Sequence, residues 1–171
     1  MEHDFSTLTI LAEVTIAFVA FAAIVASLKI TLGKKLTSFQ SLLVHFFTES
    51  GLINASVALL PLVLWGFWPD ELKVSRFTIS YALFTSGSYL IFYIRRRVKI
   101  SAPTPWPSLL VMIGYGIWLS VLAVTLIGVL WQPSLAIIAA SCLWGLFSGA
   151  VIFAYYLASF LDSERVDLGT P

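Results

Sequence analysis

Apolar residues gather in five long blocks, near 7–28, 41–68, 77–94, 107–131 and 134–161, with polar breaks between them. Each block reaches the roughly 17 to 25 residues that a helix needs to cross a bilayer. The pattern predicts an all-α membrane protein: one domain, a bundle of five transmembrane helices, with residues 162–171 as a short, loose polar tail. The third block is the shortest and the richest in Ser, Thr and Tyr, and Arg76 marks its edge. The second is the longest and holds Pro61 near its far end, where a missing amide donor predicts a kink or a loosened last turn. Ala102-Pro103-Thr104-Pro105-Trp106-Pro107 reads as a stiff connector. Trp65, Trp68 and Trp131 fall at one set of helix ends and Trp106 at the other, where an indole suits the headgroup layer, while Trp118 and Trp144 lie deep. No internal repeat divides the chain.

Composition narrows the class. The chain is 59% hydrophobic and 11% charged, against roughly 45 to 50% and about 25% in soluble domains. A net charge of +1 gives no reason to expect a nucleic-acid partner. The expected partners are the lipid bilayer and, within it, another copy or a membrane subunit. The single cysteine, Cys142, excludes an intrachain disulfide and a multi-cysteine metal cluster, and reads as a small buried residue. Met1-Glu2-His3-Asp4 lacks the basic start of a cleavable signal, so the first block is expected to stay as an anchor.

Eight of the ten bases (Lys29, Lys34, Lys35, Arg95, Arg96, Arg97, Lys99 and Arg165) follow odd-numbered blocks, and only Lys73 and Arg76 lie on the other side. Basic connections stay cytoplasmic, so the N-terminus is expected outside and the C-terminus in the cytoplasm of a multi-pass inner (plasma) membrane protein.

Three ionisable groups fall inside the blocks: Glu13, His45 and Glu49. Such groups are functional candidates because burying them in hydrocarbon is costly. His45, Thr48, Glu49 and Ser56 share one helical face, and Asn54 points nearly the opposite way. The stripe allows two readings. It could pass protons or cations, with Glu13 a further candidate, or it could be interhelical glue facing Tyr81, Thr85, Tyr89 and Tyr93 of the third helix. Glu13 lies ~9 Å below the outer end of its helix, within reach of Arg76, and an ion pair between them is expected. Glu49 sits ~16 Å deeper, so the two carboxylates are not expected to share a site.

Small residues recur at four-residue spacing in Ala22 and Ala26, in Ala23 and Ser27, and in Ser141, Gly145 and Gly149. Such rows let helix backbones approach closely. The sequence holds no phosphate-binding glycine loop, paired-His zinc motif or nucleophile elbow, and one histidine inside the blocks gives no bis-histidine haem site. No metal, no cofactor and no enzymatic activity are expected.

Leu11-Ala12-Glu13, Ala58-Leu59-Leu60-Pro61-Leu62 and Leu143-Trp144-Gly145-Leu146 resemble segments of small polytopic inner-membrane proteins of bacteria that have no assigned activity. Five spans in a short chain are also similar to the tryptophan-rich sensory translocator family, but that family's Trp and Pro segments follow the first helix, whereas Pro103, Pro105, Trp106 and Pro107 precede the fourth here. That assignment is rejected. The expected function is a non-enzymatic bundle that self-associates or serves as a subunit of a membrane complex, with a small proton or cation channel along His45 and Glu49 as the alternative.

Overall fold

Local chemistry sets the helix ends. The Thr37 hydroxyl accepts from the Gln40 amide at 3.1 Å while the Gln40 side chain accepts from the Thr37 amide at 3.2 Å, a reciprocal cap that starts a helix at Ser38. The Asp70 carboxylate accepts from the amides of Leu72 and Lys73 at 3.1 and 3.2 Å, starting the next helix at Glu71, before the apolar block begins. Farther on, the Gly128 amide donates to the Thr125 carbonyl and the Val129 amide to the Val124 carbonyl. That paired closure needs a left-handed residue, and Gly128 has φ +74°, so this helix stops at Leu126, short of the block's end.

A computed structural model describes residues 2–31, 37–100, 105–129 and 131–167, with side chains over 4–28, 31, 37–100, 105–129 and 131–158. It contains α1 (Glu2–Thr31), α2 (Ser38–Trp65), α3 (Glu71–Val98), α4 (Trp106–Leu126) and α5 (Leu135–Asp167). All five are long and apolar enough to cross a membrane. α2 runs on through Pro61 to Trp65, and α5 stays helical through residues read as a loose tail. Lys34, Lys35, Ala102 to Thr104 and residues 168–171 lie outside the described residues, as do the side chains of Lys29 and Arg165.

α2 packs on α1, α3 and α5, and α5 touches all four other helices; α1 touches only α2 and α5. Two apolar clusters fill the interior. One, including Leu8, Ala58, Val74, Ile79 and Ile138, lies toward the Trp65 end, and the other, including Leu43, Phe46, Phe47, Tyr93 and Phe153, lies toward the His45 end. Of the two small-residue rows of α1, Ala22 and Ala26 are buried, whereas Ala23 and Ser27 face outward.

The Asp70 cap carries a prediction. The Lys73 backbone amide, followed by the Lys73 ammonium 3.3 Å away, holds this carboxyl below its ordinary 3.8. A depressed folded-state pKa means the cap stabilises the helix above the ordinary value and is lost as pH falls through the folded one. Hydrogen exchange should show lower protection of the Leu72 and Lys73 amides in Asp70→Ala than in the wild type at pH 7, with the difference vanishing in strong acid. Equal protection at pH 7 would remove the cap from the account.

Candidate functional site

Polar side chains concentrate in two places, one at the His45 end between α2 and α3 and one halfway along the bundle. At the first, the one-turn spacing of His45 and Glu49 brings His45 Nδ1 to 3.2 Å from Glu49 Oε1. Arg96 of α3 closes the group, with Nη1 donating to Glu49 Oε1 at 3.0 Å and to Oε2 at 2.9 Å. Glu49 is one-third exposed and His45 and Arg96 are half-exposed or more, so the group borders the surroundings. Both carboxylate oxygens already hold donors and the local charge is neutralised, which suits holding α2 to α3 better than coordinating a passing cation. Thr48 lies beside them with no hydrogen bond among the described residues.

The tyrosines of α3 do meet α2. Tyr81 Oη lies 3.1 Å from Ser56 Oγ, Tyr89 donates to the Phe46 carbonyl at 3.4 Å, and Tyr93 packs edge-on against the Phe46 ring at 5.0 Å. Thr85 turns back on its own helix, donating to the Tyr81 carbonyl. Arg97, read as a topology residue, is buried; it donates to the Ile100 carbonyl and its guanidinium lies 5.4 Å from the Phe39 ring centre.

Halfway along the bundle, Asn54 joins three helices. Its side-chain amide donates to the Cys142 carbonyl of α5 at 2.9 Å and to Thr15 Oγ1 of α1 at 3.3 Å. The Ser141, Gly145, Gly149 row makes this possible, and it packs inside the chain. Ser141 accepts from Trp118 Nε1 of α4 at 3.1 Å. A Cβ at Gly145 would come within 2.5 Å of Asn54 Oδ1, and one at Gly149 would sit 3.4 Å from Phe18 of α1. A cavity of about 30 Å³ adjoins Asn54, lined also by Ser86, Tyr89, Tyr115, Trp118 and Trp144.

The expected ion pair between Glu13 and Arg76 does not form, because α1 and α3 do not touch. Glu13 sits on the outward side of α1 among Ile10, Val14, Ala17 and Ala20, with no partner among the described residues. Arg76 is exposed on the outward side of α3, also without one. No family model, curated protein or solved structure matches this chain. Its function must be argued from this geometry.

Sequence reasoning located His45 and Glu49 through their spacing but missed Arg96, Thr15 and the cavity. A run of bases at a helix end reads as topology, and nothing along the chain signals which one turns back to a carboxylate.

Proposed function

We propose that this chain is a multi-pass protein of the bacterial inner (plasma) membrane, with its N-terminus outside and its C-terminus cytoplasmic, and that it works as a non-enzymatic assembly subunit that associates with further copies of itself. The eight-to-two distribution of bases supports the orientation. Five helices long and apolar enough to cross a membrane support the class.

The observation that carries association is Glu13. An acidic side chain in hydrocarbon is disfavoured, by about 2.5 to 3.5 kcal/mol for charged groups on insertion scales, and such residues nearly always face a protein interior. Glu13 faces out of its own bundle, so a neighbour supplies that interior. Arg76 is the complementary group on a separate outward face.

Their levels agree. Asn54 meets Thr15, and Ser56 meets Tyr81, so the Glu13 backbone lies near Tyr81, about 7 Å deeper than Arg76. α1 and α3 run the same way, so both side chains lean outward, and the long Arg76 side chain closes the remaining offset by turning inward toward the carboxylate. In that alignment Phe84, 76% exposed, meets the low surface of Ala17 and Ala20.

Mixing donor- and acceptor-labelled copies in phospholipid vesicles tests the reading. Energy transfer above the random-proximity level should persist on dilution with lipid. Transfer that tracks random proximity at every lipid-to-protein ratio would sink it.

A further inference from the structure

The cavity beside Asn54 and a groove on the outside of the bundle share one wall. The groove, about 490 Å³, runs between α4 and α5 and is lined by Trp106, Leu110, Val111, Phe147 and Val151. Trp144 lines both spaces. Its indole edge lies where Gly114 of α4 has no side chain; a Cβ there would come within 2.4 Å of Trp144 Cζ2. α4 is the least buried of the five helices, so the partition between cavity and exterior is one aromatic ring against a glycine rather than a tightly packed helix pair.

Around the cavity, polar atoms outnumber their partners. Trp144 Nε1 is buried without a hydrogen bond, and Ser86 and Tyr115 make none among the described residues. Both hydrogens of the Asn54 amide are used, by Thr15 and Cys142, which leaves its Oδ1 open as an acceptor. Buried polar groups are nearly always satisfied, so the unpartnered Trp144 Nε1 calls for an acceptor, and Ser86, Tyr115 and Asn54 Oδ1 add free polar atoms around the same space. The cavity alone admits about two waters, whereas the groove has the size of small-molecule pockets, about 300 to 1,000 Å³.

We propose that cavity and groove form one binding site, with the Trp144 indole as its movable flap, for a neutral amphiphile that carries a flat carbonyl-bearing ring and an apolar tail. No charged residue lines either part, so a charged ligand would lose its hydration without a counter-charge. Trp144 Nε1 can only donate, and the Ser86 and Tyr115 hydroxyls can donate as well as accept, so a carbonyl oxygen suits all three. Tyr89, Tyr115, Trp118 and Trp144 offer ring faces and edges to a planar group. The tail lies along Leu110, Phe147 and Val151, where the groove opens outward. Gly114 lets the indole edge rest against the α4 backbone with no side chain there to pin it as the ring enters.

Photolabelling of the full chain in phospholipid bicelles with 4-decylbenzophenone, itself a neutral tailed diaryl ketone, tests this. Labelling should reach a plateau with probe concentration and map to Tyr115, Trp118, Leu119 and Trp144. Ser86→Phe, which fills the cavity from α3, should cut plateau labelling at those residues at least tenfold. If that variant loses its helical fold, Leu119→Trp fills the same space from α4. Trp144→Phe keeps an aromatic wall without the N–H and should raise the half-saturating concentration about three- to tenfold, the equivalent of one hydrogen bond. Labelling that climbs without a plateau, that falls only on outward residues such as Phe84, or that is unchanged in both filled variants would overturn the proposal.

Discussion

Glu13→Arg should weaken association between copies, and adding Arg76→Glu in the same chain should restore it. The first change sets two cations against each other where one copy's α1 meets the next copy's α3, and like charges facing each other across an interface cost several kcal/mol. The second restores the pair with its polarity reversed. Each single variant should weaken association ~tenfold or more, equivalent to about 1.4 kcal/mol, while the double variant returns toward wild type. Energy transfer in vesicles reads all three. Because the two groups lie on separate faces, the contact is head-to-tail and builds rings or open rows rather than two-fold dimers. If Glu13→Gln preserves full association and the double variant recovers nothing, the Glu13 charge does not hold copies together and the Arg76 assignment is wrong.

Gly145→Ala and Gly149→Ala should move stability in opposite directions, although they stand one turn apart in the same row. The new methyl at Gly145 would press on Asn54 Oδ1 at 2.5 Å and on its Cγ at 2.8 Å. Asn54 is held by Thr15 and Cys142, so it can retreat only by giving up hydrogen bonds to α1 and α5. Overpacking of this kind costs about 1 to 3 kcal/mol, and each lost interhelical bond adds about 0.6 kcal/mol. At Gly149 the methyl meets Phe18 at 3.4 Å, which small movements accommodate, and the gain in helix propensity, about 1 kcal/mol, favours alanine. Equilibrium unfolding in mixed detergent micelles gives both signs. Equal destabilisation by the two variants would show that the row senses bulk rather than Asn54.

Long apolar blocks announce helices because only length and hydropathy are needed, and five such blocks give five helices. Their ends were less legible, since Asp70 and Gly128 act through backbone amides that the apolar pattern does not register. Depth along the bundle was read only coarsely: Asn54 meets Thr15, which places Glu49 about 10 Å deeper than Glu13 rather than ~16 Å. Lateral neighbours could not be read. The Glu13 and Arg76 pairing failed for this reason: the two were placed near one level, but nothing along the chain says that α2 and α5 stand between them. Asn54 was assigned the correct side of its helix, while its partners on α1 and α5 emerge only once three helices are together. His45 and Glu49 were visible because both lie on one helix, and Arg96 was not because it arrives from another.

The position of α5 bears on how the bundle is made. It touches every other helix and follows all of them in the chain. As the chain is synthesised, α1 and α2 can pair early through their large shared face, but Asn54 finds the Cys142 carbonyl, and α4 finds the partner that Trp118 bonds, only after α5 has arrived. Until then the inner faces of α2, α3 and α4 stand open to any hydrophobic binder that patrols nascent membrane proteins. A translational pause before α5 would lengthen that exposure, and one after it would not.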